Sequence, residues 1–425
     1  MKKTNLLLVI LFFASFSQAQ LLINNPKVVE NRKNLSGIDT LMRKGIFKDD
    51  VSGLKYFTGY SYKTLYDWDQ YFESIVQIYM GWPSEYIKNG VIIFLQNEKE
   101  SGFIARSVPS SKWHDDEHVK PFLAQISYLV YKAYGEKDWI LNETYFTKLK
   151  KYLDYWLYDM DINKNGLSEW MSAPHTGMDN QHERAGFWLD RSCEGVDLNC
   201  YLVREVRAFA KLARLGGNVK LAKEYEAIAQ ERANNIQKYL WDEKSGFFYD
   251  QKVDPKKPMA KSLWIASKLN NMSANRSRIP VKSVAGFTPI WAGVATAAQT
   301  KRMIVEHLLN PREFWSPYPI PALAKTEVWY STVELPSDNG CSWRANTWMP
   351  TNYMIYHGLK NYGYDIVATT IAQRTNELMK KAGNREYYNS ETGEGVGLDP
   401  FWGWSLLGHF FDLEETLDVD ITIID

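Results

Sequence analysis

The stretch Tyr66-Asp67-Trp68-Asp69-Gln70-Tyr71-Phe72-Glu73-Ser74-Ile75-Val76-Gln77-Ile78-Tyr79 (residues 66–79) repeats its apolar residues at helical spacing. Phe72, Ile75, Val76 and Tyr79 follow the i, i+3, i+4, i+7 pattern that places apolar side chains on one face of a helix. Further stretches with this spacing lie near residues 126–133, 146–156, 206–213, 219–239, 283–301, 349–360 and 365–381. Sustained period-two alternation is nearly absent beyond the first sixty or so residues, so the sequence predicts an all-α protein.

Short loops rich in Gly, Asn and Asp separate the helices, as at residues 161–167 and 242–247, and no low-complexity linker interrupts the chain. About a dozen amphipathic helices joined in this way predict one closed helical toroid, with two concentric rings of helices and loops around a central cleft. We expect three parts: a signal peptide at residues 1–19, an N-terminal arm at residues 20–55 and the helical domain at residues 56–425.

The N-terminus has the pattern of a processing segment. Lys2 and Lys3 form a positive region, residues 6–16 an apolar region, and residues 17–19 a small, polar cleavage zone that ends at Ala19. The apolar run is too short to span a bilayer. The sequence therefore predicts cleavage near Ala19 and a soluble mature chain, periplasmic or secreted, that has no membrane partner.

Composition argues against several classes of function. Lys+Arg 50 and Asp+Glu 50 give zero formal net charge, whereas a nucleic-acid surface needs a basic excess or stripe. The three cysteines, Cys193, Cys200 and Cys341, are too sparse for a disulfide framework, although two of them could pair in an exported protein. The seven His residues are scattered, and zinc-ligand spacing is absent, so we expect no metal and no cofactor.

Two acids in unusual surroundings are the candidate catalytic residues. Asp179 lies in Thr176-Gly177-Met178-Asp179-Asn180, where glycine lets the backbone approach a ligand, although a helix N-cap is the plain alternative. Glu386 lies some two hundred residues downstream, ahead of a Gly-rich stretch at residues 393–397 and an aromatic run at residues 401–404. Two carboxylates among many aromatic residues suit acid-catalysed cleavage of a sugar acetal, so the sequence predicts a glycosidase.

Aromatic residues beside charges indicate where a sugar would bind. The chain has 16 Trp and 26 Tyr, and aromatic faces stack on the apolar faces of sugar rings. Trp68 and Asp69 open the first long helix, while Trp343, Arg344 and Trp348 lie at the entrance of another. Ordinary core tryptophans are the alternative, but a buried charge must be paired or functional. We therefore expect these residues to surround the cleft.

The joint order of these segments resembles a known family. Trp68-Asp69, Gly177-Met178-Asp179, Trp343-Arg344 with Trp348, and Glu386 ahead of residues 401–405 resemble glycoside hydrolase family 63 and its trehalase relatives. The nearest resemblance is to the short bacterial mannosylglycerate- and glucosylglycerate-hydrolase-like members. Residues 118–125 and 195–199 also resemble segments of that group, and the resemblance spans residues 60–411.

The resemblance implies an (α/α)6 barrel and an inverting glycosidase that acts on a small α-glucoside or α-mannoside. It makes Asp179 the general acid and Glu386 the general base that activates water. It also implies a small oligosaccharide or glycoside as the binding partner. The residues that we expect to contact this substrate are Tyr62, Trp68, Asp69, Lys120, Gln125, Gly177, Asn180, Asp197, Trp343, Arg344, Trp348 and Trp404.

Departures from the family pattern concern the leaving-group pocket. Ala345-Asn346 stand where the family has Gly-Pro, Cys341 lies two residues before Trp343, and residues 180–184 replace the commoner Ser-Pro-Arg. We expect the loops at residues 103–113 and 317–329 to form this pocket.

Inverting chemistry needs a protonated acid and an ionised base. We expect burial among aromatic residues to favour the protonated form of Asp179, and hydrogen bonds or a cation, Arg184 or Arg344, to keep Glu386 charged. Three alternatives stay open. They are a trehalase, although the Gln-Trp-Asp-x-Pro signature is not found as such, a polysaccharide lyase that uses His175 or His182, and a non-catalytic sugar-binding protein.

Overall fold

Most of the predicted helices are present in the computed structural model, which describes residues 23–111, 116–185, 192–253, 277–335 and 340–424. The predicted signal peptide, residues 1–19, lies outside the described residues. The α-helices are α1 Pro26–Asn34, α2 Ser36–Met42, α3 Asp67–Tyr79, α4 Glu85–Gln96, α5 Leu123–Tyr134, α6 Asp138–Leu141, α7 Glu143–Asp154, α8 Ala173–Thr176, α9 His182–Ala185, α10 Val196–Leu215, α11 Val219–Leu240, α12 Thr288–Trp291, α13 Ala297–Arg302, α14 Met349–Asn361, α15 Asp365–Ala382 and α16 Phe411–Leu417. Tighter 3₁₀ turns lie at Arg43–Gly45, Val284–Phe287 and Trp404–His409, and π-helical turns lie at Tyr155–Asp159 and Met303–Leu308.

The strands are short and antiparallel. They are β1 Ile46–Lys48, β2 Lys55–Phe57, β3 Leu65–Tyr66, β4 Ser107–Val108, β5 Glu169–Trp170, β6 Ser192–Glu194, β7 Trp241–Asp242, β8 Phe247–Phe248, β9 Gln251–Val253, β10 Ser277–Arg278, β11 Asn346–Thr347, β12 Tyr387–Asn389 and β13 Gly395–Val396. The larger sheets have the orders β10-β9-β6-β5 and β11-β12-β13, and the pairs β1-β2, β3-β4 and β7-β8 stand alone. Pairing of Asn346 with Asn389 places the segment after Trp343 beside the segment after Glu386.

Six segments contact one another in succession and close a ring. Helix α3 contacts α5, α5 contacts α10, α10 contacts α12, and α12 contacts α14. Helix α14 contacts the turn Trp404–His409, which contacts α3 again. Helices α4, α11 and α15 pack against members of this ring. The prediction of a mainly helical protein is confirmed, and the ring has the closure that a toroid requires.

Helix α3 lies in the interior of the molecule. All 13 of its residues are buried, including Asp67, Asp69 and Glu73. A buried polar group destabilises the fold unless it has a partner, and Glu73 accepts the Gly59 N–H at 2.7 Å. Because the acids of α3 lie inside the ring, its interior is polar at the end where α3 begins.

The sharp turn between α10 and α11 follows from three residues. Gly217 has φ +82°, a conformation that glycine adopts without a steric penalty. The Asn218 side chain then accepts the Leu221 N–H at 3.1 Å and caps α11. The two long helices therefore fold back on each other as a hairpin, and α10 presents its other side to the ring.

The predicted continuous helix at residues 283–301 is wrong, because the chain is broken there. Pro289 lies in the first turn of α12, and Gly293 follows the helix with φ +64°. Thr296 and Gln299 then form a reciprocal capping box that starts α13. The apolar spacing runs across the break, so the periodicity alone does not reveal it.

The N-terminal segment packs on the far end of α3. Val28 is fully buried, and the Arg32 Nε donates to the Tyr79 carbonyl at 2.5 Å. The Trp82 indole N–H donates to Asp39 at 2.6 Å. Helices α1 and α2 are thus tied to the ring by both apolar and polar contacts.

Within the described ranges, no helix is long and apolar enough to cross a membrane. In the same part of the chain, no group of three or more His, Cys, Asp or Glu residues could hold a metal ion. Cys193, Cys200 and Cys341 are free thiols.

Candidate active site

Asp179 lies in a turn that directly follows α8. The Ser172 hydroxyl accepts the His175 N–H at 3.0 Å and caps α8, and Gly177 ends the helix with φ +84°. A Cβ atom at Gly177 would lie 2.8 Å from the Trp68 ring, closer than side chains approach one another. Glycine is therefore required for this turn to lie against Trp68 and bring Asp179 beside it.

Both carboxylate oxygens of Asp179 have neighbours from distant parts of the chain. Arg106 Nη2 lies 3.9 Å from Oδ1, and the Cys341 thiol donates to Oδ2 at 3.5 Å. Arg106 is itself buried and bonds Glu117 at 3.0 Å. The Asp179 side chain is 39% exposed, so the expected burial among aromatic residues is not observed. Oδ1 is buried beside a fixed cation, while the side chain as a whole stays partly exposed.

Glu386 immediately precedes β12 and is buried. The Leu398 N–H donates to its Oε2 at 3.0 Å, and the Trp404 indole N–H donates to its backbone carbonyl at 3.0 Å. Gly397 has φ +73°, and a Cβ atom there would lie 2.6 Å from Oε2. The Gly-rich loop noted in the sequence therefore folds tightly over this carboxylate and fixes it.

Burial raises the pKa of Glu386 to about 7. The hydrogen bond from Leu398 opposes this rise, and the charge of Asp179 adds to it. The influence of Asp179 places the two acids in one electrostatic site, although some two hundred residues separate them in the sequence.

The expectation that Arg184 or Arg344 keeps Glu386 charged is wrong. Arg184 is buried and pairs with Asp250 at 2.6 Å. The Arg344 guanidinium lies 5.9 Å from the centroid of the Trp329 ring. A cation that does lie beside one of the two acids is Arg106, and its neighbour is Asp179.

The predicted tryptophans converge on the two acids as a packed wall. The Trp343 and Trp348 rings stack at 3.8 Å with an interplanar angle of 7°, and Trp348 stacks on Tyr387 at 4.3 Å. Trp68 lies 5.5 Å from Trp343. All four rings are buried, so their flat faces are not open for a sugar ring to stack on. They shape the site through their edges and their volume.

Tyr62 is an exposed aromatic residue of this region. Its side chain is 44% exposed and stacks on Tyr60 at 4.9 Å. The Tyr60 hydroxyl donates to Asp69 at 3.2 Å. Burial, and then the charge of Asp67, raise the pKa of Asp69 to about 8. This rise favours the protonated form of Asp69, which can donate a hydrogen bond.

Lys120 and Asp67 form a fully buried ion pair. Lys120 Nζ lies 3.1 Å from both Asp67 oxygens, and the Lys120 N–H donates to Oδ2 at 3.0 Å. The Lys120 ammonium also lies 5.5 Å from the centroid of the Trp68 ring. Both side chains of the pair are fully buried. Lys120 therefore holds Asp67 in place and does not contact a substrate.

Two predicted substrate contacts, Asp197 and Gln125, have internal partners instead. Asp197 is fully buried, accepts the Trp170 indole N–H at 2.8 Å and pairs with Arg184 at 3.1 Å. Gln125 is buried and accepts from Arg204 at 3.2 Å. Their bonds hold the fold together, so we do not retain them as substrate contacts.

The tail of the Asp179 turn, which departs from the family pattern, fastens that turn to Trp343. The Asn180 Oδ1 accepts the Trp343 N–H at 2.9 Å. The Gln181 Nε2 donates to the Trp343 carbonyl at 2.7 Å. Asn180 and Gln181 therefore fix the position of the turn relative to the tryptophan wall.

Sequence reasoning did not identify Arg106, and it noted Cys341 only as a departure. Pairing of Tyr66 with Ser107 brings Arg106 to the start of α3, and strands of two residues carry no alternation that could be recognised. One signal was available, because Arg106 lies in the loop at residues 103–113 that was assigned to the leaving-group pocket. Residues 112 and 113 of that loop lie outside the described residues.

The chain is similar to curated enzymes that act on small glycosides. It is 27% identical over 169 residues to a mannosylglycerate hydrolase of Thermus thermophilus, a match that covers 39% of this chain and 33% of that enzyme. It is 27% identical over 258 residues to a periplasmic trehalase of Escherichia coli, which covers 58% of this chain and 39% of the trehalase. These matches thus span between a third and two fifths of the relatives' length.

The solved structures extend the likeness to most of the chain. The structure of a glycoside hydrolase family 63 mannosylglycerate hydrolase from Thermus thermophilus in complex with glucose matches with a TM-score of 0.70 and 17% identity, over 88% of this chain and 99% of that one. A neutral trehalase of Saccharomyces cerevisiae matches with a TM-score of 0.61 and 18% identity, over 87% and 76% of the two chains. At these identities the likeness establishes a shared fold.

A family model covers most of the chain, including both candidate acids. The model described as mannosylglycerate hydrolase MGH1-like glycoside hydrolase domain matches residues 62–405. The resemblance inferred from the order of the acid and tryptophan segments is thereby confirmed. The chain belongs to the family of MGH1-like glycoside hydrolase domains.

Proposed function

We propose that this protein hydrolyses a small α-glucoside or α-mannoside with inversion, using Asp179 as general acid and Glu386 as general base. The observation that carries the proposal is the convergence of the two acids. Asp179 lies 3.5 Å from the Cys341 thiol, and the rings of Trp343, Trp348 and Tyr387, the residue after Glu386, stack in succession beside that contact. Two carboxyl groups that share a site and have different surroundings are what an acid and a base require.

The bond changes follow from these roles. Glu386 takes a proton from a water molecule as the water oxygen attacks the anomeric carbon. The bond from that carbon to the leaving oxygen breaks on the opposite side, and Asp179 gives its proton to this oxygen. Attack from one face and departure from the other turn an α-glycoside into a β-sugar.

The surroundings favour the two proton transfers, although Arg106 beside Asp179 also opposes the protonated state that this acid needs before the reaction. Burial that raises the pKa of Glu386 to about 7 makes its carboxylate a stronger base, while a large fraction stays ionised at neutral pH. Arg106, 3.9 Å from Asp179, stabilises the carboxylate that remains after proton donation. Burial of Glu386 and the charge of Arg106 thus favour both proton transfers, from water to Glu386 and from Asp179 to the leaving oxygen.

The proposed substrate contacts are those near the two acids. We keep Tyr62, Trp68, Asp69, Asn180, Trp343, Arg344, Trp348 and Trp404 as residues that contact the sugar or form the wall behind it. Gly177 supports these residues by letting the Asp179 turn pack against Trp68. Lys120 supports them through its ion pair with Asp67. We also propose that the ring of six segments, together with helices α4, α11 and α15 that pack against it, is an (α/α)6 barrel. An arm at residues 20–55 precedes this barrel.

A trehalase is the second candidate, supported by the similarity to periplasmic and neutral trehalases. That similarity and the apolar N-terminal run also support a periplasmic or secreted location for the mature protein. The lyase alternative loses one of its two candidate bases, because His175 is fully buried and its Nε2 bonds the His118 carbonyl at 2.9 Å. Burial also lowers the pKa of His175 to about 4.

The test is proton NMR of the first sugar released from a panel of α-glycosides, with mannosylglycerate, glucosylglycerate and trehalose included. From the two glycerate glycosides we expect the β-anomer to appear first, and from trehalose equal amounts of α- and β-glucose, followed in each case by slow mutarotation. We expect no release by Glu386→Gln. Early appearance of the α-anomer from a glycerate glycoside, release of α-glucose alone from trehalose, or an unsaturated product that absorbs in the near ultraviolet would contradict the proposal. Saturable binding of these sugars without hydrolysis would support the non-catalytic alternative.

A further inference from the structure

Cys341 contacts the proposed general acid directly. Its Sγ lies 3.5 Å from Asp179 Oδ2, within reach of an S–H···O hydrogen bond. Arg106 lies near the other oxygen, Oδ1, at 3.9 Å. The two oxygens of the acid therefore have different neighbours, a neutral donor on one side and a cation on the other.

The contact is held in register by the residues around it. Three successive residues of the Asp179 turn each meet the segment 341–343: Asp179 meets Cys341, Asn180 accepts the Trp343 N–H at 2.9 Å, and Gln181 donates to the Trp343 carbonyl at 2.7 Å. The Trp348 indole N–H donates to the Ser342 carbonyl at 3.1 Å and fixes this segment from behind. The thiol is thus part of a built contact between two segments of the site.

The protonation state of the thiol suits a donor. Burial, together with the charges of Asp179 and Glu386, raises the pKa of Cys341 well above its usual value. The side chain therefore stays an S–H group when both acids are ionised. A thiol is a weak donor, so it can orient a carboxyl group and still favour ionisation less than a hydroxyl or ammonium group would.

We propose that Cys341 is a positioning residue for the general acid, whose thiol holds Oδ2 of Asp179 so that the carboxyl group meets the leaving oxygen in a fixed orientation. This inference rests on the proposed function of Asp179. It assigns a role to the residue that departs from the family pattern two positions before Trp343.

Two substrates distinguish such a role from general support of the fold. An ordinary glycoside needs a proton on its leaving oxygen, whereas a glycosyl fluoride of the same sugar leaves with little help from an acid. For Cys341→Ala we expect kcat on the glycoside to fall about three- to tenfold with little change in KM, because a misoriented acid slows proton transfer. We expect kcat on the fluoride to stay near the wild-type value.

Two further variants complete the comparison. Cys341→Ser keeps a donor and should recover part of the lost glycoside turnover. Cys200→Ala removes a fully buried thiol elsewhere and should leave both substrates unaffected. If Cys341→Ala does not fold, Cys341→Ser is compared with the wild type on the same two substrates, since a shorter hydroxyl in place of the thiol also alters the contact with Oδ2 and should change turnover of the glycoside alone.

Equal losses on both substrates, or wild-type turnover of the glycoside by Cys341→Ala, would overturn the proposal for Cys341. The Asp179→Asn variant in the same assays separates this failure from that of the proposed function. If Asp179→Asn loses glycoside turnover while Cys341→Ala keeps it, the role of Cys341 alone is wrong. If Asp179→Asn also keeps it, the assignment of the general acid is wrong as well.

Discussion

At the residue scale, the burial that makes Glu386 a stronger base also destabilises the folded protein. The pKa of Glu386 rises from an ordinary 4.5 to about 7 on folding. A raised pKa means that the favourable contribution of this group to folding is complete below about pH 4.5 and is lost as the pH rises through about 7. An active site that needs an ionised base in a buried position is therefore less stable at the pH where it works.

This predicts a stabilising variant with a definite pH dependence. Glu386→Gln should increase the free energy of unfolding by about 3 kcal/mol near pH 8 and change it little near pH 4.5. Urea denaturation at the two pH values measures the effect. Glu391→Gln is the control with the opposite sign, because hydrogen bonds from Lys325 and Tyr330 lower the pKa of Glu391 despite its partial burial. Equal destabilisation by Glu386→Gln at both pH values would contradict the account.

The glycine before the general acid gives a second residue-scale prediction. Gly177 and Gly217 have nearly the same φ, +84° and +82°, but an added Cβ would meet Trp68 at 2.8 Å at Gly177 and nothing within 4 Å at Gly217. Gly217→Ala should therefore cost about 1 kcal/mol of stability, from backbone strain alone. Gly177→Ala should cost about 3 kcal/mol, from strain plus overpacking, and reduce kcat/KM more than tenfold. Thermal unfolding and steady-state kinetics of both proteins check this, and similar values for the two would contradict it.

The sequence indicated Asp179 and Glu386 because each has glycine or aromatic neighbours close by in the chain. It could not indicate the contact between Cys341 and Asp179, since the two residues are 162 positions apart and no local pattern records the pairing. The sequence also gives no indication of the raised pKa of Glu386, because burial is its main cause and the segments that bury this side chain are distant in the chain.

At the scale of elements, apolar spacing predicted the helices whose buried residues continue along the whole helix, such as α3, α5 and α10. The prediction failed where the apolar spacing continues across a break between two helices. At residues 283–301 the apolar residues keep a helical rhythm, while Pro289 and Gly293 determine where α12 begins and ends. Local backbone constraints outweigh the periodicity there. The short strands escaped detection because two or three residues cannot establish a period.

The junction of α3 with the segment before α5 depends on the buried pair of Asp67 and Lys120. Lys120→Met leaves the Asp67 carboxylate buried without its cation, and should destabilise the protein by about 3–5 kcal/mol. Asp67→Asn combined with Lys120→Met removes both charges and should recover part of this loss. Urea denaturation of the two single variants and the double variant gives the coupling free energy. A coupling near zero would mean that the pair does not hold this junction.

At the scale of the whole molecule, ring closure depends on contacts between the start and the end of the chain. Glu414 of α16 accepts the Tyr79 hydroxyl from α3 at 2.5 Å and the Tyr353 hydroxyl from α14 at 2.6 Å. The His357 Nε2 lies 3.1 Å from its other oxygen. One fully buried carboxylate thus joins two members of the ring to the C-terminal helix. The sequence predicted a closed ring from the number of helices, but it could not name this closing contact.

Removal of the Glu414 charge should destabilise the closed ring. Glu414→Gln replaces an acceptor of three bonds with a neutral amide, and should lower the free energy of unfolding by about 3–5 kcal/mol. Glu415→Gln is the matched control on the adjacent, partly exposed residue, and should cost about 1 kcal/mol. Thermal and urea unfolding compare the two. Equal effects would show that the buried network contributes nothing particular to closure.

The central claim is that Asp179 donates a proton to the leaving group while Glu386 activates water. The most direct test is turnover of a cleaved α-glycoside, and of the α-glycosyl fluoride of the same sugar, by Asp179→Asn and Glu386→Gln. We predict that Asp179→Asn loses about 10³-fold on the glycoside and less than about tenfold on the fluoride, whereas Glu386→Gln loses about 10³-fold on both. Wild-type turnover of the glycoside by Asp179→Asn, or of the fluoride by Glu386→Gln, would contradict the account.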